Sequence, residues 1–187
     1  MAAPEREAQR WILAAIGLLE ARAPRGDWLS GPGRLAGAGR SAALLRQRFG
    51  ISSADEARRS LKRHFSRAGS ARESASRIFW LTRASALAAW ACGCFLLDLD
   101  EAWAAMRRAA AGLQSCAASW SDLGQGYLRG HALHGREPLE LEMLVTRIDR
   151  LLDGRRGIWS AIPWATPLRE VSAPRVKRRL RLIAGGR

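Results

Sequence analysis

The sequence predicts an all-α fold: a single compact domain of six or seven helices around a buried central helix, followed by a basic C-terminal tail. Three observations carry this. Apolar residues recur at helical spacing in successive windows, and no segment shows the sustained alternation of a half-buried strand. Ser- or Asp-led capping patterns stand in front of several of these windows. One window, from Ala84 to Leu97, carries no charge, and a helix apolar on every side belongs in the middle of a bundle.

The elements follow in order. Pro4 to Ala23 reads as a helix with Trp11, Ala15 and Leu18 on one side, beside Ile12, Ile16 and Leu19, until Pro24 and Gly26 stop it. Residues 25–39 are rich in Gly and Pro and read as a loop, with Trp28 and Leu29 tucked onto the core. A short helix spans Ser41 to Phe49 and closes at Gly50. Ser53-Ala-Asp-Glu56 then has the form of a capping box, opening a helix through Phe65 with Ala57, Leu61 and Phe65 as its buried face. Ser70-Ala-Arg-Glu73 looks like a second box, starting a helix that runs to about Phe95 and buries Ile78, Leu81, Leu87, Trp90 and Phe95. Asp98 caps a helix to about Cys116, with Trp103, Met106, Ala110 and Leu113 inward and Arg107 and Arg108 outward. Ser119 begins another short helix, which Gly124, Gly126 and Gly130 are expected to interrupt. Pro138 suits a first helical turn, and the apolar positions from Leu141 to Leu152 continue at helical spacing to Gly154. The expected division is a helical domain over 1–168 and a basic tail or short amphipathic helix over 169–187.

The chain has 187 residues, of which 48% are hydrophobic and 26% charged, a globular balance that excludes a disordered or collagen-like chain. It lacks the run of about 20 apolar residues that a membrane span requires. Trp11 to Leu19 is apolar, and Ala21-Arg22-Ala23 has the form of a cleavage site. Glu5, Glu7 and Glu20 argue against a signal peptide, so a first amphipathic helix and a cytoplasmic protein are expected. Cys92, Cys94 and Cys116 are odd in number and lack CxxC spacing, which favours reduced, buried thiols over a zinc site. The sequence sets no oligomeric state.

Four stretches resemble the bacterial family called domain of unknown function 1266. They are Leu44-Leu-Arg-Gln-Arg-Phe-Gly-Ile51 with its following helix, Phe79-Trp-Leu-Thr-Arg83, Ser119-Trp-Ser-Asp-Leu-Gly-Gln-Gly-Tyr127-Leu-Arg-Gly130, and Ile158-Trp-Ser-Ala-Ile-Pro-Trp164. In the second stretch the family pattern has aromatic-Asp-x-x-Arg. Here Trp80 takes the Asp place while Arg83 remains, so Arg83 needs another partner, for which Asp122 is the candidate. The resemblance implies a bacterial intracellular protein, from a family some of whose members are found near toxin and secretion genes. It implies no reaction.

Three sets of residues are candidates for function. Arg83, Ser119, Trp120, Asp122, Tyr127 and Arg129 could form a polar pocket lined by aromatic rings; the competing reading is a capping network in which Ser119 caps a helix and Trp120 packs. His131 and His134, with Glu137, have helical spacing for a metal, but Gly135 and Pro138 end the helix, so no metal is expected. Gly31-Pro-Gly33 and Gly37-Ala-Gly39 lack the context of a phosphate loop, and no cofactor is expected. The third set is basic. Formal net charge is +14, all but two of the Lys and Arg residues are Arg, and residues 169–187 hold seven basic residues against one acid. Arg58, Arg59, Lys62 and Arg63 form one face, and Arg175, Lys177, Arg178, Arg179 and Arg181 a dense patch. Val176, Leu180 and Ile183 give that patch an amphipathic pattern without the interleaved aromatics of single-strand binders.

The favoured function is therefore a non-catalytic interaction module for an acidic or amphipathic protein partner. The alternatives are a nucleic-acid-binding protein acting through its Arg-rich surfaces, and an enzyme or toxin built on Arg83, Asp122 and Tyr127.

Overall fold

The computed structural model describes residues 3–19, 38–135 and 138–168. Among these residues there are seven α-helices and no strand: α1 (Ala3–Ala14), which tightens into a 3-10 turn over Ala15–Leu18, α2 (Ala38–Phe49), α3 (Ala54–Ser70), α4 (Ser74–Gly93), α5 (Leu99–Cys116), α6 (Trp120–His134) and α7 (Pro138–Leu152). Trp28, Glu137 and the basic patch at 175–181 lie outside the described residues.

Three helix starts follow the capping chemistry. The Ser53 hydroxyl accepts the Glu56 N–H at 3.3 Å, and the Glu56 carboxylate accepts the Ser53 N–H in return at 3.1 Å. Asp98 accepts the Glu101 N–H at 2.7 Å, and Ser119 accepts the Asp122 N–H at 3.1 Å. The second expected box does not form. α3 runs on to Ser70, whose hydroxyl bonds back to the Arg67 carbonyl, and α4 starts at Ser74 after Glu73, which makes no side-chain cap.

α4 is central and packs against α2, α3, α5, α6 and the 3-10 turn. Every residue from Ala84 to Ala91 is buried. The helix stops two residues before Phe95, contrary to the expectation. Leu96 and Leu97 N–H groups both turn back to the Ala91 carbonyl, and Phe95 takes a left-handed φ of 63°. This stop throws the Phe95 ring into solvent at 88% exposure and gives the inward place to Leu97. On α3, His64 is buried, while Phe65 is only partly covered and has the Arg108 guanidinium 4.3 Å from its ring centre.

α6 is continuous through its three glycines, also contrary to expectation. At each of them a neighbouring helix approaches closely. A Cβ at Gly124 would lie 2.9 Å from Ile148 of α7, one at Gly126 2.5 Å from Ile78 of α4, and one at Gly130 2.7 Å from the Phe79 Cβ. Glycine costs helix propensity here, and the close packing it permits offsets that cost.

The segment after α7 closes the domain with tryptophans. Trp120 stacks on Trp159 at 5.1 Å, and Trp11 lies 4.7 Å from Trp120 and 5.1 Å from Trp164. Their indole N–H groups are satisfied by backbone: Trp11 donates to the Trp164 carbonyl, Trp120 to Ile162 and Trp159 to Ala14. Gln114 of α5 donates to both the Trp164 and Thr166 carbonyls at 2.9 Å. The two ends of the helical domain are thus bonded to each other.

Candidate functional site

The residues proposed for a polar pocket are spread over different environments. Ser119 and Asp122 cap the start of α6, with Asp122 also accepting the Ala118 N–H at 2.9 Å. Trp120 belongs to the tryptophan cluster. Arg129 is exposed and reaches Asp122 at 3.9 Å. Asp122 is thereby turned to its own helix and not to Arg83. Tyr127 is 1% exposed and stacks on Phe79. Arg83 stands elsewhere, in a cleft that the sequence reading did not assemble.

The cleft encloses about 630 Å³ and is built by four helices. The end of α2 supplies Gln47, Arg48 and Phe49. One face of α3 supplies Ser60, Arg63, His64 and Arg67, residues that helical spacing places in line. α4 contributes Phe79, Trp80 and Arg83, and the end of α6 brings His131, His134 and Gly135. Four arginines and three histidines line it, with no carboxylate among the described lining residues.

Two of the guanidiniums are held by rings. Arg83 lies 4.6 Å from the Phe49 ring centre and 5.4 Å from that of Phe79, and it donates to the Arg48 carbonyl at 3.2 Å. Arg67 lies 4.6 Å from the Trp80 centre. Between these sits His64, 5.6 Å from Phe49 and 5.5 Å from Trp80. Its Nδ1 is 2.7 Å from the Ser60 carbonyl and donates to it, which leaves Nε2 as the unprotonated nitrogen. Burial pulls this imidazole down to about 4, with the charges of Arg83, Arg67 and Arg63 adding to the effect and the Ser60 bond opposing it. His64 is therefore neutral at neutral pH. His134 Nε2 lies 2.8 Å from the Ser76 hydroxyl, and its ring is 5.2 Å from Trp80. A second hollow of about 580 Å³ adjoins the first, sharing Arg67, Trp80 and His134 and otherwise lined by Ser70, Ala71, Ser76 and Leu133.

The basic face expected on α3 divides. Arg58 is taken up by Glu101, with bonds of 2.8 and 3.0 Å. Arg59 and Lys62 are exposed, and only Arg63 enters the cleft. Cys92, Cys94 and Cys116 are free and half-buried, and burial pushes the first two thiols up. Among the described residues no group of three His, Cys, Asp or Glu could hold a metal, and no helix is long and apolar enough to cross a membrane.

The fold and the cleft describe an all-helical domain with an arginine-rich recess. Residues 78–164 match the model of a family described as "Protein of unknown function (DUF1266)". The matched stretch runs from α4 through the last tryptophan, and so includes Phe79, Trp80, Arg83 and both cleft histidines of α6. No curated protein and no solved structure matches the chain.

Proposed function

We propose that the protein is a non-catalytic helical interaction module, and that it engages an acidic partner protein through the arginine-lined cleft. The observation that supports this most is the lining itself: Arg48, Arg63, Arg67 and Arg83 converge from three helices without a described carboxylate among them. Planar guanidinium groups in a recess of this kind favour oxyanions that accept two parallel hydrogen bonds, such as carboxylates. A partner from a toxin or secretion system would fit the company that the resembling family keeps. The catalytic reading has less support, because Tyr127 is sealed under Phe79 and Asp122 serves as a cap.

The test uses immobilised wild-type protein and the Arg63→Glu/Arg67→Glu variant in nuclease-treated lysate of the source cells. The expected result is a set of acidic proteins retained by the wild type and lost by the variant. Retention that disappears with nuclease would move the function to nucleic acid. Equal retention by both proteins would remove the cleft from the reading.

A further inference from the structure

We infer that the two adjoining hollows form one docking trough, and that its occupant is a peptide segment presenting an acidic and a large apolar side chain on the same side. This rests on the acidic-partner reading and names what that partner must present. α3 supplies Ser60, Arg63, His64 and Arg67 to the first hollow, and Arg67, Ser70 and Ala71 to the second. These positions make one stripe along the helix. From Ser60 to Ala71 the stripe runs for about 16 Å. Trp80 of α4 and His134 of α6 line both hollows opposite it. A trough of that length takes about five residues of extended chain, or about three turns of helix.

The acidic side chain belongs at Arg67. The ion pairs of the described residues take up Arg58 and Arg129, and leave Arg63 and Arg67 without a carboxylate among those residues. The Arg67 guanidinium is placed by the Trp80 ring, 4.6 Å from its centre. A ring face orients the planar fork and supplies no negative charge, so the fork still lacks the carboxylate that it is shaped to bind. Arg63 stands one turn earlier on the same stripe, and its charge reaches the His64 imidazole together with that of Arg67. Arg83 is engaged by the Arg48 carbonyl and the Phe49 and Phe79 rings.

The apolar side chain belongs in the second hollow. Apart from Arg67 and His134, that hollow is lined by Ser70, Ala71, Ser76, Trp80 and Leu133. Leu133 is 57% exposed. An exposed leucine on its own is ordinary surface. This one shares a recess with the Ala71 methyl and an indole, and tryptophan is a frequent anchor of protein interfaces. From Arg67 to Ala71 is one helical turn, about 6 Å. An extended peptide places alternate side chains about 6–7 Å apart on one face, and a helical one does so at positions four apart. A carboxylate seated on Arg67 therefore brings a neighbouring apolar side chain over the second hollow.

The test is NMR titration of the ¹⁵N-labelled full chain with short capped peptides. Glu and Leu stand two residues apart in a Gly/Ser background, or four apart in an Ala-rich helical one. Companion peptides carry Gln for Glu, or Ser for Leu. The protein variants are Arg67→Gln and Leu133→Gln, both at exposed positions, with circular dichroism confirming that each is folded. One Glu–Leu peptide should bind saturably, about fivefold or more tighter than its Gln or Ser companion. Arg67→Gln should abolish the preference for Glu and keep that for Leu, and Leu133→Gln should do the reverse, each to within about twofold. The spacing that binds tells an extended segment from a helix, and either supports the trough. A Glu–Ser peptide that equals Glu–Leu and is lost with Arg67→Gln would overturn the trough and leave the acidic-partner reading standing. Gln peptides that bind as well as Glu peptides would sink both. Equal losses of every peptide in the two variants would also overturn the trough. So would the absence of saturable binding by any probe up to about 10 mM; acidic proteins captured by the wild type and lost by Arg63→Glu/Arg67→Glu would then still uphold the acidic partner.

Discussion

Gly130→Ala should destabilise the protein even though alanine is the better helix former. In an exposed helix interior the change is favourable by about 1 kcal/mol. At residue 130 the new Cβ would fall onto the Ala75 carbonyl oxygen of α4, 3.1 Å from the Ala75 carbonyl carbon and 2.7 Å from the Phe79 Cβ. None of these atoms is the free end of a side chain, so relief requires α6 to withdraw from α4. Overpacking of this kind costs about 1–3 kcal/mol. Separating the helices also loosens Phe79 against Tyr127, His131 and His134, rings that now lie 5.5 to 6.1 Å from it. A net loss of about 1 kcal/mol, and up to about 2, is expected after the propensity gain is deducted. Gly69→Ala is the internal control, since a Cβ there meets nothing within 4 Å; it should gain up to about 0.5–1 kcal/mol. Urea unfolding followed by circular dichroism measures both. The reasoning fails if Gly130→Ala is as stable as the wild type, or if the two substitutions shift stability in the same direction.

Three further outcomes are expected. His64 stays neutral in the folded protein down to about 4, against an ordinary value of about 6.5, so its burial contributes stability that is present above about pH 6.5 and is lost as pH falls toward 4. The loss is on the order of 3 kcal/mol at most and should be absent from the pH profile of His64→Gln; an imidazole that titrates near 6.5 by NMR would refute it. Phe95→Gly should stabilise by about 1 kcal/mol in thermal melts, because glycine accepts the left-handed φ of 63° and the solvent-exposed ring gives up little contact. Trp120→Phe removes the 2.7 Å N–H bond to the buried Ile162 carbonyl; it should cost about 1–3 kcal/mol in urea unfolding and diminish the near-ultraviolet dichroism of the Trp120–Trp159 stack. An unchanged spectrum would argue against that stack.

The parts of the fold set by local chemistry were legible in the sequence. The box at Ser53–Glu56, the caps at Asp98 and Ser119, and the uncharged run of α4 each depend on residues close together in the chain. The errors arose where tertiary packing overrides a local signal. Ser70-Ala-Arg-Glu73 fits a capping pattern, but α3 continues through Ser70 and the pattern is left unused. The glycines of α6 look like breakers until α4 and α7 are placed against them. Phe95 is apolar and belongs by composition to α4, yet the turn that ends the helix points it outward. The cleft was illegible for a related reason. The polar side of α3 reads as a solvated face, and the spacing of Ser60, Arg63, His64 and Arg67 is the one local sign that part of it could be lined up against something. Phe49, Trp80 and His134 come from three other helices, and nothing in their own neighbourhoods joins them.

The substitution noted in the family pattern gains a physical meaning from this cleft. In the pattern that the chain resembles, an aspartate three residues before Arg83 lies one helical turn away on the same face, where it could neutralise the guanidinium. Trp80 cannot do that. Its ring instead takes Arg67 on its face and stands 4.9 Å from Phe79, which in turn supports Arg83. Ring faces and the Arg48 carbonyl attract and orient a guanidinium while leaving its positive charge in place. A carboxylate at position 80 would place a negative charge beside Arg67 and one helical turn from Arg83. An indole there holds Arg67 by its ring face and adds no negative charge to the cleft. Under the proposed reading, an indole at this position suits a recess that receives an acidic partner better than a carboxylate would.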